Sequence, residues 1–229
     1  MGVIASVNEP RSHTDGTAPS VYPVQILNIV SSPRSDGASV TVANAFLEAV
    51  HKDHPDMVVD TLDIWHENLP EFDSTTIDAK YKGVSGEEMN ETEQRLWDRI
   101  QNLAERFRRA DRIVLGVPMW NWSHPYKLKQ LIDLVSQRDM LFTFDGTHFG
   151  PALDIERALV IFSRGQYYAE DGPTPASRWD HQSGFITFFL ATIGVRDVRT
   201  LLVEHTWDDL VNESIEAALD EVKARARDF

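Results

Sequence analysis

A chain of 229 residues with 42% hydrophobic content is long enough to bury one sizeable α/β core, and nothing in its make-up requires a second. The formal charge of −14 argues against nucleic acid or an anionic membrane surface as partner, because both need clustered Lys and Arg. The lack of cysteine removes disulfides, thiol nucleophiles and thiolate metal sites, and fits a cytoplasmic protein; the longest nearly apolar run, 185–195, is too short to span a bilayer.

Residues 1–20 are rich in Pro, Ser, Thr, Gly and Asp without apolar periodicity, so 1–22 reads as a flexible extension ahead of a single domain at 23–229. Met1 to Ser6 fits the short myristoylation pattern, yet no polybasic patch follows to supply a second membrane signal, and chance is the better explanation. Residues 24–30 read as a first buried strand, and Val42, Ala43, Phe46, Leu47 and Val50 as the apolar face of a helix. The loop between them, SSPRSDGAS at 31–39, places hydroxyls, an arginine and a glycine just ahead of a helix N-terminus, which favours an anion. An ordinary Ser/Asp/Gly turn leading into an N-cap accounts for the same residues, and on the loop alone the two readings balance. It is neither a G-x-G-x-x-G fingerprint nor a P-loop.

Residues 57–62 form a second strand pattern, and 65–90 a polar, irregular excursion with the look of a lid or surface loop. Leu96, Ile100, Leu103 and Phe107 mark a helix over about 91–108, whose Arg106, Arg108 and Arg109 read as a solvated carboxyl terminus. The run 112–117 is a third strand ended by Pro118; Leu128, Leu131, Ile132 and Val135 then recur at helical spacing, with Ser123 as N-cap and Pro125 in the first turn. Met119, Trp120, Asn121 and Trp122 therefore lie at the carboxyl end of a strand, where open α/β sheets bind ligands. Either tryptophan alone is more economically a packing residue, but two indoles and an amide together in this place suit a flat, partly polar ring.

The aromatic loop 139–152 reads as a pocket wall or a subunit contact. A fourth strand at 158–162 leads into Ser163-Arg164-Gly165-Gln166, where the glycine either lets backbone approach a ligand or simply ends the strand. Phe185, Phe188, Phe189 and Ile193 mark a helix, 198–203 a fifth strand, and Val211, Ile215, Ala218 and Val222 a closing helix. Five apolar strands alternating with helices imply a parallel, doubly wound sheet, and strand order 2-1-3-4-5 sets the loops after strands one and three side by side. Phosphate donors on one loop and a place for a ring on the other are the layout that flavin mononucleotide (FMN) needs.

From Ile26 to about Thr206 the chain resembles the FMN-dependent NAD(P)H:quinone oxidoreductases and azoreductases of the flavodoxin-like superfamily. Ser31-Ser32-Pro33-Arg34 with Ser39-Val40-Thr41 looks like their S-S-P-R…S-x-S loop, and Pro118-Met119-Trp120-Asn121-Trp122 like their P-M-Y-N-F segment. Ser163-Arg164-Gly165 is similar to their S-R-G-G turn, and 193–198 to their F-I-G-I-x-D-V segment. The resemblance implies a flavodoxin-like fold in which Ser32, Ser39, Val40 and Thr41 hold the FMN phosphate. It further implies that Met119, Trp120, Asn121 and Trp122 border the isoalloxazine, that Ser163, Arg164, Gly165 and Gln166 line its other side, and that the protein is a homodimer. Trp120 stands where the family has Tyr, Trp122 where it has Phe, and Gln166 where it has a second Gly, so pocket shape and acceptor choice depart from the pattern.

The implied activity is hydride transfer from NAD(P)H through the flavin to a quinone or azo compound, two electrons at a time in ping-pong order, with the cofactor carrying the chemistry. A one-electron carrier and a reductase that releases reduced FMN are the alternatives; a hydrolase is a weak third, since H-E-x-x-H and G-x-S-x-G are both missing. His51 and His54 at a helix end read as solvated rather than as metal ligands, and His124, His148 and His181 as capping, packing or surface residues, so no catalytic side chain is assigned.

Overall fold

The computed structural model describes residues 23–229; the myristoylation pattern and the extension lie outside them. Three strands, β1 (Gln25–Val30), β3 (Arg112–Pro118) and β6 (Ile155–Ser163), are buried along most of their length, as continuous apolar runs are in a parallel sheet covered on both faces. The edges are β2 (Val58–Asp63) and β7 (Val195–Val203), and the five parallel strands run β2-β1-β3-β6-β7. Counting only the strands of this sheet, the order is the expected 2-1-3-4-5.

The two faces carry separate cores. On β6, Ala158, Val160 and Phe162 pack toward α3 (Glu91–Arg109), α4 (Tyr126–Val135) and α6 (Ser183–Ile193), while Leu159 and Ile161 pack toward α1 (Ala38–Asp53) and α7 (Val211–Arg225). Large side chains such as Phe46, Phe107 and Phe162 are fully buried, each contributing roughly 1.5–3 kcal/mol.

Four local expectations need correction. The excursion at 65–90 is not all irregular: it contains α2 (Ser74–Ser85), capped by the Asp73 carboxylate, which accepts from the Thr76 N–H (2.9 Å), and closed by Gly86 at φ 75°. Only Thr76 and Ala79 of α2 are buried, so its apolar stripe is too thin to register as a period. Its Gly83 lies against the Trp97 indole of α3, where a Cβ would come within 2.3 Å of the ring. Second, α4 starts at Tyr126 with Pro125 as its N-cap, and Ser123 belongs to the preceding turn. Third, Arg106 is no solvated terminus: it pairs with Asp60 and with Glu67 (3.3 Å) and donates to the Thr61 carbonyl (2.8 Å), tying α3 to β2. Fourth, the aromatic loop is a hairpin of β4 (Phe142–Phe144) and β5 (Phe149–Pro151), with Phe144 and Phe149 stacked at 4.6 Å.

Candidate functional site

Parallel pairing brings three loops to one rim. Val30 is in register with Gly116, and Pro118 with Ser163, so the segments after β1, β3 and β6 leave the sheet as neighbours. The Ser31 hydroxyl donates to the Gly116 carbonyl (2.6 Å), fastening the first loop to the central strand. Gly116 is small for a reason: a Cβ there would sit 3.1 Å from the Ser39 carbonyl oxygen, so the bare backbone lets the first turn of α1 lie on β3.

That first turn has the form of an anion cradle. Gly37 is the N-cap and offers no side chain to the helix; its carbonyl accepts from both the Val40 and Thr41 N–H groups (2.9 Å each). The N–H groups of Ala38 and Ser39 have no carbonyl one turn behind them within the helix, and the helix dipole adds positive potential there. Among the described residues two buried side-chain polar atoms lack a hydrogen-bond partner: Asn28 Oδ1, in mid-strand, and Ser39 Oγ, in this turn. An unsatisfied buried hydroxyl costs about 1–3 kcal/mol, and the Ser39 hydroxyl has no acceptor among the described residues. Ser32 is also buried, its Oγ accepting from the Arg34 N–H (3.2 Å), while Arg34 is exposed and paired with Asp36 (3.2 Å). Thr41, one position beyond buried Val40, is partly exposed.

The loop after β3 is a strained tight turn. Met119 N–H donates to the Ser163 carbonyl (2.8 Å), and Trp120 and Ser123 exchange backbone hydrogen bonds (2.8 and 3.1 Å) around Asn121 at φ 47° and Trp122 at φ 68°. Positive φ at both central residues is what a two-residue hairpin turn of the primed kind demands. Asn tolerates it; for an indole-bearing residue it costs on the order of 1–3 kcal/mol and persists only where surrounding contacts enforce it. Those contacts come from the segment before α6: His181 N–H donates to the Trp122 carbonyl (3.0 Å), Ser123 Oγ donates to the His181 carbonyl (3.1 Å), and the Trp179 ring lies 5.8 Å from that of Trp122. Asn121 is exposed and the Trp122 indole is half exposed, so both face outward from the rim, while Trp120 is partly buried.

Trp65 is a site residue that the sequence reading missed. Its indole N–H donates to the Ser31 carbonyl (3.0 Å), its ring lies 5.6 Å from Trp120 and edge-on to Tyr126 at 5.7 Å, and the Lys127 ammonium sits 5.4 Å above it. One side chain thus joins the hydroxyl loop to the indole loop. A large aromatic just past the end of the second strand was the available signal, overlooked because it opened a polar stretch.

In the third loop the expected residues divide. Ser163 is buried and supplies the carbonyl that Met119 uses; Gln166 is exposed. The Arg164 guanidinium turns inward, donating to Gln182 Oε1 (3.1 Å) and Asp180 (2.5 Å) and lying 3.7 Å from Glu204, while its backbone N–H and carbonyl bond Val203 (2.9 Å) and Thr206 (3.0 Å). Arg164 therefore offers the rim no free polar group. Burial works to raise the Asp180 carboxyl, but hydrogen bonds from Ser183, the Arg164 charge and the Gln182 N–H outweigh it and hold Asp180 below the usual aspartate value. Gly165 also departs from expectation: the space a Cβ would fill is taken by the Trp207 indole, 2.2 Å away, so the missing side chain accommodates the protein's own ring. Nearby, His124 stacks on Phe185 at 4.9 Å, and burial, aided by Lys129, lowers its pKa toward the neutral form.

A helix N-terminus with an unspent hydroxyl and an aromatic loop, set side by side at the switch point of a 2-1-3-4-5 sheet, define a doubly wound α/β protein with its ligand crevice at the strand carboxyl ends. The chain belongs to the family of flavodoxin-like fold, whose profile matches residues 25–226. It is 53% identical over 207 residues to FMN-dependent NADH:quinone oxidoreductase 2 of Burkholderia lata, covering 90% of this chain and 100% of that one. It is 43% identical to FMN-dependent NADH:quinone oxidoreductase 9 of the same organism, over 90% of this chain and 99% of the relative. Among solved structures, an azoreductase from Bacillus anthracis superposes with a TM-score of 0.82 at 24% identity, covering 90% of this chain and 100% of that one, a likeness of fold.

Proposed function

We propose that the protein is an FMN-dependent oxidoreductase that passes hydride from NADH through the flavin to quinones or azo compounds, with a single catalytic domain at 23–229. The observation that carries the reading is the partnerless, fully buried Ser39 hydroxyl in the first turn of α1, one strand away from the indole loop. Ser39, with Ser32, Thr41 and the backbone N–H groups through Val40, holds the phosphate. Asn121 and the backbone around Met119 would bond the polar edge of the ring, and Trp120 and Trp122 would border it. Ser163 and Gln166 would line the opposite side, whereas Arg164 is turned inward and Gly165 is covered by Trp207. FMN held there would supply the two-electron hydride chemistry between the nicotinamide donor and the acceptor.

The protein's own contribution is position and exclusion of water. Trp65, Trp120 and Trp122 present flat apolar surfaces on which an aromatic acceptor can lie, and no side-chain nucleophile or acid is required of the chain. A second copy completes the assembly by covering Phe149 and Phe188, 69% and 66% exposed beside a cavity of about 620 Å³ between α4, the β4–β5 hairpin and α6. We place the enzyme in the cytoplasm, where a cysteine-free chain needs no oxidising compartment.

The purified protein, reconstituted with FMN and passed over a desalting column, is expected to stay yellow, to bleach under NADH without oxygen and to recover its colour with a naphthoquinone. Parallel-line kinetics against the quinone are expected. Loss of flavin on the column defeats the retained-cofactor reading in favour of a reductase that releases FMN, and a retained flavin that NADH does not bleach defeats the oxidoreductase reading.

A further inference from the structure

We infer that Arg164 is a positioning residue which, through Asp180 and the turn at 179–181, holds the Trp122 indole in the orientation that decides how well aromatic acceptors bind. The inference rests on the proposal that the loop after β3 borders the flavin.

Arg164 is almost wholly buried, and its polar groups are engaged inside the protein. Its partners lie on two segments: Asp180 and Gln182 just before α6, and Glu204 after β7. Gln182, fully buried, passes the connection on by donating Nε2–H to the Val117 carbonyl (2.9 Å), at the end of the strand that launches the indole loop. Asp180 Oδ1 accepts from the Gln182 and Ser183 N–H groups (2.9 Å each) and so caps α6. Glu204 accepts from the Tyr168 N–H (3.2 Å), anchoring the segment after Gln166.

Asp180 is flanked by the two residues that grip Trp122. On one side Trp179 lays its ring 5.8 Å from the Trp122 ring at 55°; on the other His181 donates to the Trp122 carbonyl (3.0 Å) and accepts from Ser123 Oγ (3.1 Å). A tryptophan at φ 68° does not stay there unaided, and this turn is what opposes its relaxation. The turn is set by where Asp180 sits; the Ser183 hydroxyl and the Ser183 and Gln182 N–H groups tie Asp180 to α6, and Arg164 ties it to the segment after β6. A planar guanidinium with a fixed fork of donors reaches two acceptors in set directions and keeps its charge beside Glu204, which the single ammonium of a lysine does not. The chain of contacts therefore runs from a buried charge to a half-exposed indole at the rim, and loosening its inner end frees the outer one.

The test uses the FMN-loaded protein with Arg164→Lys and Asp180→Asn, and with Trp179→Leu as the variant that cuts the final link directly. Near-ultraviolet circular dichroism reads the Trp122–Trp179 pair, and steady-state kinetics with a naphthoquinone read the acceptor. Flavin occupancy is expected to match the unaltered protein, because the phosphate end is untouched. The dichroism is expected to fall as far in both variants as in Trp179→Leu, and KM for the quinone to rise about tenfold. kcat is expected to change by less than about twofold, the split that marks lost binding rather than lost chemistry. Asp180→Asn keeps an acceptor oxygen for the α6 cap, so it decides the matter if Arg164→Lys does not fold. Unchanged dichroism and unchanged KM in Asp180→Asn overturn the inference. If the unaltered protein fails to retain FMN, it is the proposed function that fails, and the dichroism, which needs no flavin, still judges the positioning role.

Discussion

Replacing Ser39 by Ala has opposite consequences for the empty and the loaded protein. Ser39 is fully buried and its Oγ has no partner among the described residues, while its Cβ survives the substitution. In the protein without FMN the change removes a hydroxyl whose burial costs about 1–3 kcal/mol, so stability is expected to hold or rise. One kcal/mol corresponds to roughly 2–4 °C in the melting temperature of a chain of this size. In the FMN-loaded protein the same hydroxyl donates to a charged phosphate, a bond worth about 1.5–3 kcal/mol, and its loss weakens FMN binding by about 10- to 150-fold. Titration of FMN by quenching of its fluorescence, with thermal melts of both forms, measures the two effects separately. A variant that binds FMN as tightly as the unaltered protein refutes the phosphate assignment. A variant that melts well below it when empty shows that the hydroxyl is satisfied after all.

Trp65→Phe keeps an aromatic ring against Trp120 and Tyr126 but deletes the N–H that reaches Ser31, and is expected to cost about 1 kcal/mol of stability and to raise the FMN dissociation constant about fivefold; a dissociation constant that does not move separates Trp65 from the site. A pH dependence follows from Asp180: against the opposing effect of burial, the Ser183 hydrogen bonds and the Arg164 charge hold its carboxyl below the usual aspartate range. A depressed carboxylate contributes stability that is present above its unfolded value and is lost as the pH falls through the folded one. The gap in urea midpoint between the unaltered protein and Asp180→Asn is therefore expected at pH 7 and should close below pH 3.8; a gap that persists in strong acid means the charge is not what stabilises the turn.

The architecture was legible because each cause acts locally along the chain. A parallel strand buried on both faces has to be continuously apolar, a covering helix has to carry a stripe, and the alternation of the two leaves few topologies once right-handed crossovers are required. The hydroxyl and indole loops were legible for the same reason, since both sit directly at strand ends. What stayed hidden depends on partners distant in sequence. Arg106 reads as a solvated helix end until the fold sets Asp60 and Glu67 beside it. Gly165 reads as an opening for a ligand until Trp207, 42 positions later along the segment whose Thr206 bonds Arg164, fills it. Composition and periodicity thus settled the sheet and the rim that carries the site, because they report how each residue meets solvent or core. Only the tertiary structure decided which side chains at that rim are spent on one another, because hydrogen bonds and ion pairs between distant segments exist only once the chain has folded.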